Sequence, residues 1–330
     1  MLMMFPATIG IDISKATFDV ALYQNNSYQP GHFSNDPAGF KKLAKWLNKR
    51  NVNGRHICME ATGRYGQALA LFLYQAEFPV SVVNPARIKA YSDSLLKRNK
   101  TDPEDAKVIA HFCATQNPDL WTPPSPEAQE LQMLVRRLEN LKAMRTQEKN
   151  RHHAAISSEA VLANIDHHLN YLNQQIEQLE QQIETLIDSH PDLKRQRDLL
   201  ISIKGISHTT AAKFLAEVPD IHQFESAAQL AAYAGVTPKR RSSGTSVHSK
   251  GHFSKTGNVH LRTAFYMPAI SAMRWNPIAK SLVERLQDRG KESKVIIGAV
   301  MRKLIHLAYG VLKTGKPFDP NYLQNLQIAS

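Results

Sequence analysis

The chain has 330 residues, 42% of them hydrophobic and 21% charged, with a formal net charge of +12. That length exceeds what one compact core usually holds, so more than one domain is expected of an otherwise ordinary globular composition. Residues 1–190 hold 20 Lys and Arg against 20 Asp and Glu, whereas residues 191–330 hold 21 against 9. A neutral half joined to a basic half points to a polyanion partner, most simply nucleic acid. General solubility is the bland alternative, but it would not favour one half.

No apolar run is read as membrane-spanning. The most apolar late segment, "VIIGAVMRKLIHLAYGVL", is interrupted by Arg302, Lys303 and His306,. The opening "MLMMFPATIG" lacks the basic region and cleavage site of a signal peptide and reads as the lead-in to a strand,. Cys58 and Cys113 supply neither a disulfide framework nor zinc spacing, and read as reduced core residues of a cytoplasmic protein,.

In chain order, "ATIGIDISKATFDVALYQ" alternates β-branched and apolar residues and predicts a strand entering a hairpin, with "SYQPGHFSND" as the next strand,. An amphipathic helix "PAGFKKLAKWLNKR", a buried strand "GRHICMEATG", a helix "RYGQALALFLYQAEF" and a strand "PVSVVNP" follow, leading into a last helix. This order predicts a mixed α/β sheet with helices on its faces, ending near Trp121 at the Pro-rich linker "WTPPSPEAQE",.

Residues 127–190 read as continuously helical. Ile165, Leu169, Leu172, Ile176, Leu179, Ile183 and Leu186 follow a 3.5-residue repeat, and Leu131, Leu134, Leu138 and Leu141 make a similar seam,. The two seams could close on each other within one chain or pair between chains. Arg136, Arg137, Lys142 and Arg145 make the first of these helices basic, either as a solvated face or as a nucleic-acid surface. Beyond them, "LLISIKGISHTTAAKFLAEV" resembles a helix–hairpin–helix turning at Lys204-Gly205-Ile206, a motif whose second helix start can hold a phosphate,. Next, "RRSSGTSVHSKGHFSKTGN" reads as a long polar loop, "VHLRTAFYMPAISAM" as one helix, and the chain closes with a helix around "KVIIGAVMRKLIHLAYGVLK".

Two aspartates three apart, Asp102 and Asp105, lie in "LLKRNKTDPEDAKVIAHF" beside Lys97, Arg98 and Lys100. Asp102 could cap a helix, with Pro103 at its first position and Asp105 closing a capping box. The same spacing also puts both carboxylates on one helix face. Asp12 sits in the middle of the first strand, and Glu60 ends the strand "HICMEATG". An ionised carboxylate at a buried strand is costly unless paired or bound to a cation. If the first and fourth strands are neighbours, Asp12 and Glu60 converge and the helix brings Asp102 and Asp105 over them. Hard oxygen ligands without Cys or His favour magnesium or manganese. Two such ions about 3.5–4 Å apart suit phosphoryl transfer.

"GIDISK", "ICMEATGRYG", "VVNPARIKA", "RNKTDPEDAKVIA", "AAYAGVTPKRRSSG" and "GNVHLRTAFYMPA" together resemble insertion-sequence family 110, the bridge-RNA-guided DEDD transposases. The resemblance runs from about Thr8 to Phe318 and implies a RuvC-like, ribonuclease-H-type fold for residues 1–121, with Asp12, Glu60, Asp102 and Asp105 as its four acids. Beside it, the residues read as a linker and coiled coil over 122–190, suited to dimerisation and RNA binding, and as a basic, mostly helical domain over 191–330, which the resemblance makes the transposase domain. It further implies a serine that joins covalently to cut DNA, matched by Ser243 of Ser243-Gly244, with Ser242 as its neighbour. Lys239, Arg240 and Arg241 could neutralise the attacked phosphate,. The implied partners are donor and target DNA, a structured non-coding guide RNA and further copies of the chain as a dimer or tetramer, at the bacterial nucleoid and with no membrane. A structure-specific nuclease of the Holliday-junction type, using the acids and water alone, is the rival reading. A nucleic-acid scaffold without activity is a more distant one.

Overall fold

The apolar alternation that starts at Thr8 becomes, in the computed structural model, strand β1 (Thr8–Ile13) at the centre of a five-stranded sheet. The structure describes residues 7–50, 55–61, 63–95, 102–154, 158–239, 242–243, 247–248, 252–254 and 256–321; of residues 64, 102, 154, 239, 242, 243, 247, 248 and 252 it describes the backbone alone. The chain divides into two compact units, one through Pro123 and one from Pro124.

In the first unit, β2 (Thr17–Gln24) folds back antiparallel on β1, and β3 (Ser27–Ser34) on β2. The β2–β3 turn is Asn25-Asn26, both with positive φ, the conformation that Asn tolerates best after Gly and that a two-residue hairpin demands,. Helix α1 (Pro37–Asn48) starts where Asp36 accepts from the Gly39 amide and Pro37 takes the first turn,. Strand β4 (His56–Glu60), helix α2 (Arg64–Gln75) and strand β5 (Val80–Val83) then build the parallel side, giving the order β3-β2-β1-β4-β5. Helices α3 (Pro85–Ser94) and α4 (Asp102–Gln116) follow.

Strand alternation divides this sheet into two buried faces. Ile9, Ile11, Phe18, Val20, Leu22, Ile57 and Met59 pack against Phe40, Leu43, Leu47, Leu69 and Leu73 of α1 and α2. On the other face Cys58 and Val83 meet Ile88, Val108, Ile109 and Phe112, while Ala21 meets Ala106 and Ala110 of α4. Cys58 and Cys113 are buried and unbridged, and the neighbouring Cys58 thiol together with burial pushes the Cys113 thiol up. Helix α4 sits very low on β1, because a Cβ at Gly10 would strike the Ala106 carbonyl and the Ala110 amide. Thr8 Oγ1 donates to the Ala110 carbonyl at 2.8 Å.

The second unit opens with α5 (Pro126–Ala154) and α6 (Glu159–Ser189), which share the span that reads as helical over 127–190. They run antiparallel: Lys142 meets Glu180 at 2.6 Å, and His152 meets Asp166 at 3.3 Å. Leu131, Leu138 and Leu141 share a core with Leu172, Ile176, Ile183 and Ile187, so the two apolar seams close on each other within the chain. Part of the expected linker, Pro126 onward, is the first turn of α5.

Helices α7 (Pro191–Ile201) and α8 (His208–Glu217) form an αα-hairpin. Its turn places Gly205 at φ 109°, with Ala272 close behind,. Buried Arg197 ties α7 to the end of α6 through Asp188 at 2.8 Å, and this hydrogen bond holds the Asp188 carboxyl below its usual range. A short 3-10 turn at Ile221–Gln223 leads to α9 (Ala227–Tyr233).

The segment expected as a polar loop contains two small ladders. Strand β6 (Pro238–Lys239) pairs with β9 (His252–Phe253), and within that frame β7 (Ser242–Ser243) pairs with β8 (Val247–His248). The expected single helix after it breaks into α10 (Val259–Ala264) and α11 (Tyr266–Trp275). Pro268 explains the break: its nitrogen cannot donate to the carbonyl four residues back, at Ala264. Helix α12 (Pro277–Asp288), unread from the sequence, is capped by the fully buried Asn276, which also donates to the Lys204 carbonyl at 3.1 Å.

Helix α13 (Ser293–Thr314) is long and apolar enough to cross a membrane by length and composition, despite its interrupting cations. Packing accounts for that apolarity: Ile296, Val300, Met301, Leu304, Ile305 and Ala308 belong to the core of this unit. Phe253 of β9 lies against Gly298, where a Cβ would stand 2.6 Å from its ring.

Candidate functional site

Register aligns the first two acids. Strands β1 and β4 run parallel with Ile11 opposite Met59, so the next step sets Asp12 beside Glu60. Both share a sheet face with Thr8 and Gly10, the face under α4. On the other side of β1, Asp12 stands directly opposite Asp19 of β2, and Asp19 stands opposite His32 of β3. Four strands thus present Glu60, Asp12, Asp19 and His32 in one row. His32 Nδ1 lies 3.0 Å from Asp19 Oδ1. Asp19 and His32 were not singled out in the sequence, although counting the hairpin register outward from Ser14–Ala16 reaches them.

Helix α4 runs against the direction of β1. Ala110 lies over Thr8 and Ala106 over Gly10, so the first turn of α4 comes over Asp12. Asp102 is one turn before Ala106 in the helix, and Asp105 is three residues on from Asp102. Asp102 is itself the first residue of α4 and Pro103 the second; the capping position, Thr101, lies outside the described residues. Next to the acids, Glu104 and Lys107 pair at 2.6 Å.

This placement suits a hard divalent cation: carboxylates from two adjacent strand ends, faced by the first turn of a helix that carries two more. Among the described residues no three His, Cys, Asp or Glu side chains form a metal-holding group, and the Asp102 side chain is not among those described.

In the second unit, Ser243 lies in the inner ladder, paired with Val247, and Lys239 lies in the outer one, paired with His252. Arg240 and Arg241 lie outside the described residues, as do Lys97, Arg98 and Lys100. Both ends of this hairpin arm return to one buried residue, Glu217. Glu217, at the end of α8, accepts from Asn258 Nδ2 at 2.6 Å, while its backbone carbonyl accepts from the Tyr233 hydroxyl at 3.3 Å. Tyr233 precedes the arm and Asn258 ends it, and the Asn258 amide donates to the Tyr233 carbonyl at 2.7 Å. Burial pushes the Tyr233 phenol above its ordinary value, against the pull of its Asn258 hydrogen bond.

Arg136 gives both Nε and Nη2 to Glu217. Lys142 pairs with Glu180, and Arg145 donates to Asn173 at 3.2 Å. Arg137 and Lys204 are exposed. A neighbouring carboxylate, Glu139, takes Lys213 at 2.8 Å and His260 at 2.9 Å. Burial alone would raise its pKa, but these two partners outweigh burial and hold it below the usual carboxylate range.

Comparison with known proteins matches two stretches of the chain, the first of which runs from the first unit into the second. Residues 9–161 match a transposase model of the DEDD IS110 type, and residues 197–284 match a model described as transposase, IS116/IS110/IS902 family. A pilin gene-inverting protein of Moraxella bovis is 37% identical over 315 residues, 94% of this chain and 97% of that one. The pilin gene-inverting protein of Moraxella lacunata is similar to the same degree. A transposase for insertion sequence element IS1111A from Coxiella burnetii is 27% identical over 66% of each chain. The five-stranded mixed sheet with flanking helices is consistent with a RuvC-like DEDD domain.

Proposed function

The chain belongs to insertion-sequence family 110 and is a DNA transposase, and from that premise we propose that it cuts and rejoins DNA strands through a serine nucleophile and a four-carboxylate cation site, the acids coming from the same or another copy of the chain. The observation that carries this reading is the adjacency of Asp12 and Glu60 on the sheet face beneath the first turn of α4. Asp12, Glu60, Asp102 and Asp105 would hold the cation. Magnesium or manganese, when bound there, supplies charge neutralisation at the attacked phosphate.

The serine is Ser243, with Ser242 beside it in the same strand. Its hydroxyl oxygen attacks the phosphorus of a DNA phosphodiester and loses its proton. The bond from phosphorus to the leaving sugar oxygen breaks, that oxygen takes up a proton, and a phosphoserine link remains. A sugar hydroxyl of another strand then attacks the same phosphorus, and the serine leaves with its proton restored. Lys239, Arg240 and Arg241 precede the serine and carry the positive charge that the phosphate requires.

A structured RNA from the non-coding end of the element selects donor and target DNA by base pairing. Arg137 of α5, Lys204 of the α7–α8 turn, Lys97, Arg98 and Lys100 are candidate phosphate contacts, with Arg136, Lys142 and Arg145 already engaged inside the chain. The chain works as a dimer or tetramer on the bacterial nucleoid in the cytoplasm. Exposed Met133, Met144 and Tyr171 on the outer sides of α5 and α6 favour association there.

DNA strand exchange with purified protein, RNA and magnesium tests the proposal. Asp12→Ala and Ser243→Ala are each expected to abolish exchange. Ser243→Ala alone keeps manganese binding, read calorimetrically without nucleic acid. Exchange undiminished in either variant refutes that assignment. Because the acids all belong to the first unit, a nuclease that uses water in place of serine remains the second reading. Protein trapped covalently on cut DNA in denaturing gels rules it out.

A further inference from the structure

Helices α10 and α11 carry an outward stripe that the fold leaves uncovered. Val259, Thr263, Tyr266, Met267, Ile270 and Arg274 recur at helical spacing and are all exposed,. Leu261, Ala264, Phe265, Ala269 and Ala272, on the other side of the same helices, are buried. Trp275, 68% exposed, flanks the stripe at the end of α11, half a turn round the helix from Tyr266, and Met267 is 67% exposed,. Of the thirteen large hydrophobic residues exposed among the described residues, five fall between 259 and 275. Scattered apolar residues need no explanation, but a cluster this dense marks a contact surface.

Charge selects the occupant. Between Glu225 and Glu284 the chain contains no Asp or Glu, and eight Lys and Arg fall in that interval. A surface set in acid-free, cationic sequence favours a polyanion. A second copy of the chain would instead bring the same cations against themselves. The exposed tyrosine and tryptophan add a geometric demand: flat rings are covered best by the faces of unpaired bases, which a duplex hides.

We propose that this stripe docks a single strand of DNA, with unpaired bases stacked on Tyr266 and Trp275 and a phosphate on Arg274. The choice of DNA rests on the serine reading above. The stripe begins at the residue after Asn258, where the Ser243 arm rejoins the helical body, and the strand attacked there is DNA. Strand exchange also requires the transferred end to leave its duplex, which frees bases for stacking.

The test titrates full-length protein with oligothymidylate, oligouridylate in a parallel arm, following quenching of Trp275 fluorescence against a Trp275→Phe background and anisotropy of a labelled oligonucleotide. Tyr266→Ala and Trp275→Ala are each expected to weaken oligothymidylate binding about tenfold. Arg274→Ala is expected to reduce the salt dependence by about 0.7 of a log unit per log unit of salt. Unfolding midpoints should stay unchanged, since all three side chains are exposed. Unaltered oligothymidylate affinity in the aromatic variants overturns the proposal. Loss of oligomeric state in light scattering without loss of strand binding assigns the stripe to a second copy, and loss confined to oligouridylate assigns it to RNA; both overturn it too. Ser243→Ala should bind the strand normally, so failure of the serine reading shows in exchange and failure of the stripe shows in binding.

Discussion

Arg136 grips Glu217 with two parallel hydrogen bonds, Nε to Oε1 at 3.1 Å and Nη2 to Oε2 at 3.2 Å, although the two lie 81 residues apart. The pairing is asymmetric: the Glu217 side chain is 3% exposed and that of Arg136 is 44% exposed. Solvent can therefore take over from the arginine, but only in part, and the carboxylate keeps Asn258 as its other donor.

Arg136→Ala leaves a buried carboxylate with its strongest donor removed. The expected destabilisation is about 3 kcal/mol, the lower end for a broken buried pair because Arg136 is half in water. Urea unfolding measures it. A double variant, Arg136→Met with Glu217→Gln, is expected to recover much of the loss, since no charge is then stranded. A double variant as unstable as Arg136→Ala would mean that the pair acts through packing.

Gly10→Ala is expected to destabilise the first unit by about 3 kcal/mol or more, because backbone on both sides of the new methyl blocks it. Ala106 and Ala110 cannot retreat without lifting α4 from β1. The same lift carries Asp102 and Asp105 away from Asp12, so manganese affinity should fall alongside stability. Thermal unfolding and calorimetric titration read the two effects, and a stable variant with intact metal binding would contradict the packing described.

Asp12→Asn is expected to stabilise the protein in EDTA by about 0.2–1 kcal/mol while abolishing strand exchange. Asp12 stands between two acidic neighbours in register, Asp19 and Glu60, and like charges directly opposite on adjacent strands repel,. Added magnesium should raise the melting temperature of wild type and leave that of the variant unmoved. A variant less stable than wild type in EDTA would show that the row is not strained by its own charge.

His306 gives the second unit a pH dependence at its acid-neutral side. Burial, with Arg302 and Lys303 adding to it, holds its imidazole below the ordinary histidine value, and neutral Nε2 accepts from Arg302 at 3.4 Å. The unfolded chain therefore binds this proton more readily than the folded one. Stability is full above the ordinary histidine value and falls as pH drops from there toward the lowered folded value. Urea midpoints between pH 7.5 and 5.5 check this, and His306→Gln, which keeps an acceptor without titrating, should flatten that part of the profile. An unchanged slope in His306→Gln would place the proton elsewhere.

The first unit was readable because its signals are local. Alternation marks β1 and a short apolar run marks β4, and each carries an acid, Asp12 within the first and Glu60 at the end of the second. Asp19 stayed hidden because its meaning lies in the pairing with Asp12, which only the hairpin register reveals. Glu217 was hidden differently: an acid at a helix end reads as solvated, and its burial depends on an asparagine 41 residues later. The break between α10 and α11 was there to be found in Pro268, whose missing donor points back to Ala264. The nested ladders β6–β9 and β7–β8 were not, since serine, lysine and histidine carry no alternation that a strand would show.

Two-residue ladders have little strength of their own. The outer one leans instead on Phe253, whose ring occupies the hollow that Gly298 leaves in the second turn of α13. A single methyl added there, deep in hydrophobic packing and remote in sequence from Asp12, Glu60, Asp102, Asp105 and Ser243, would tilt the arm that carries Ser243, the proposed nucleophile. Searches for altered recombination behaviour should therefore look inside the protein as well as along its charged exterior.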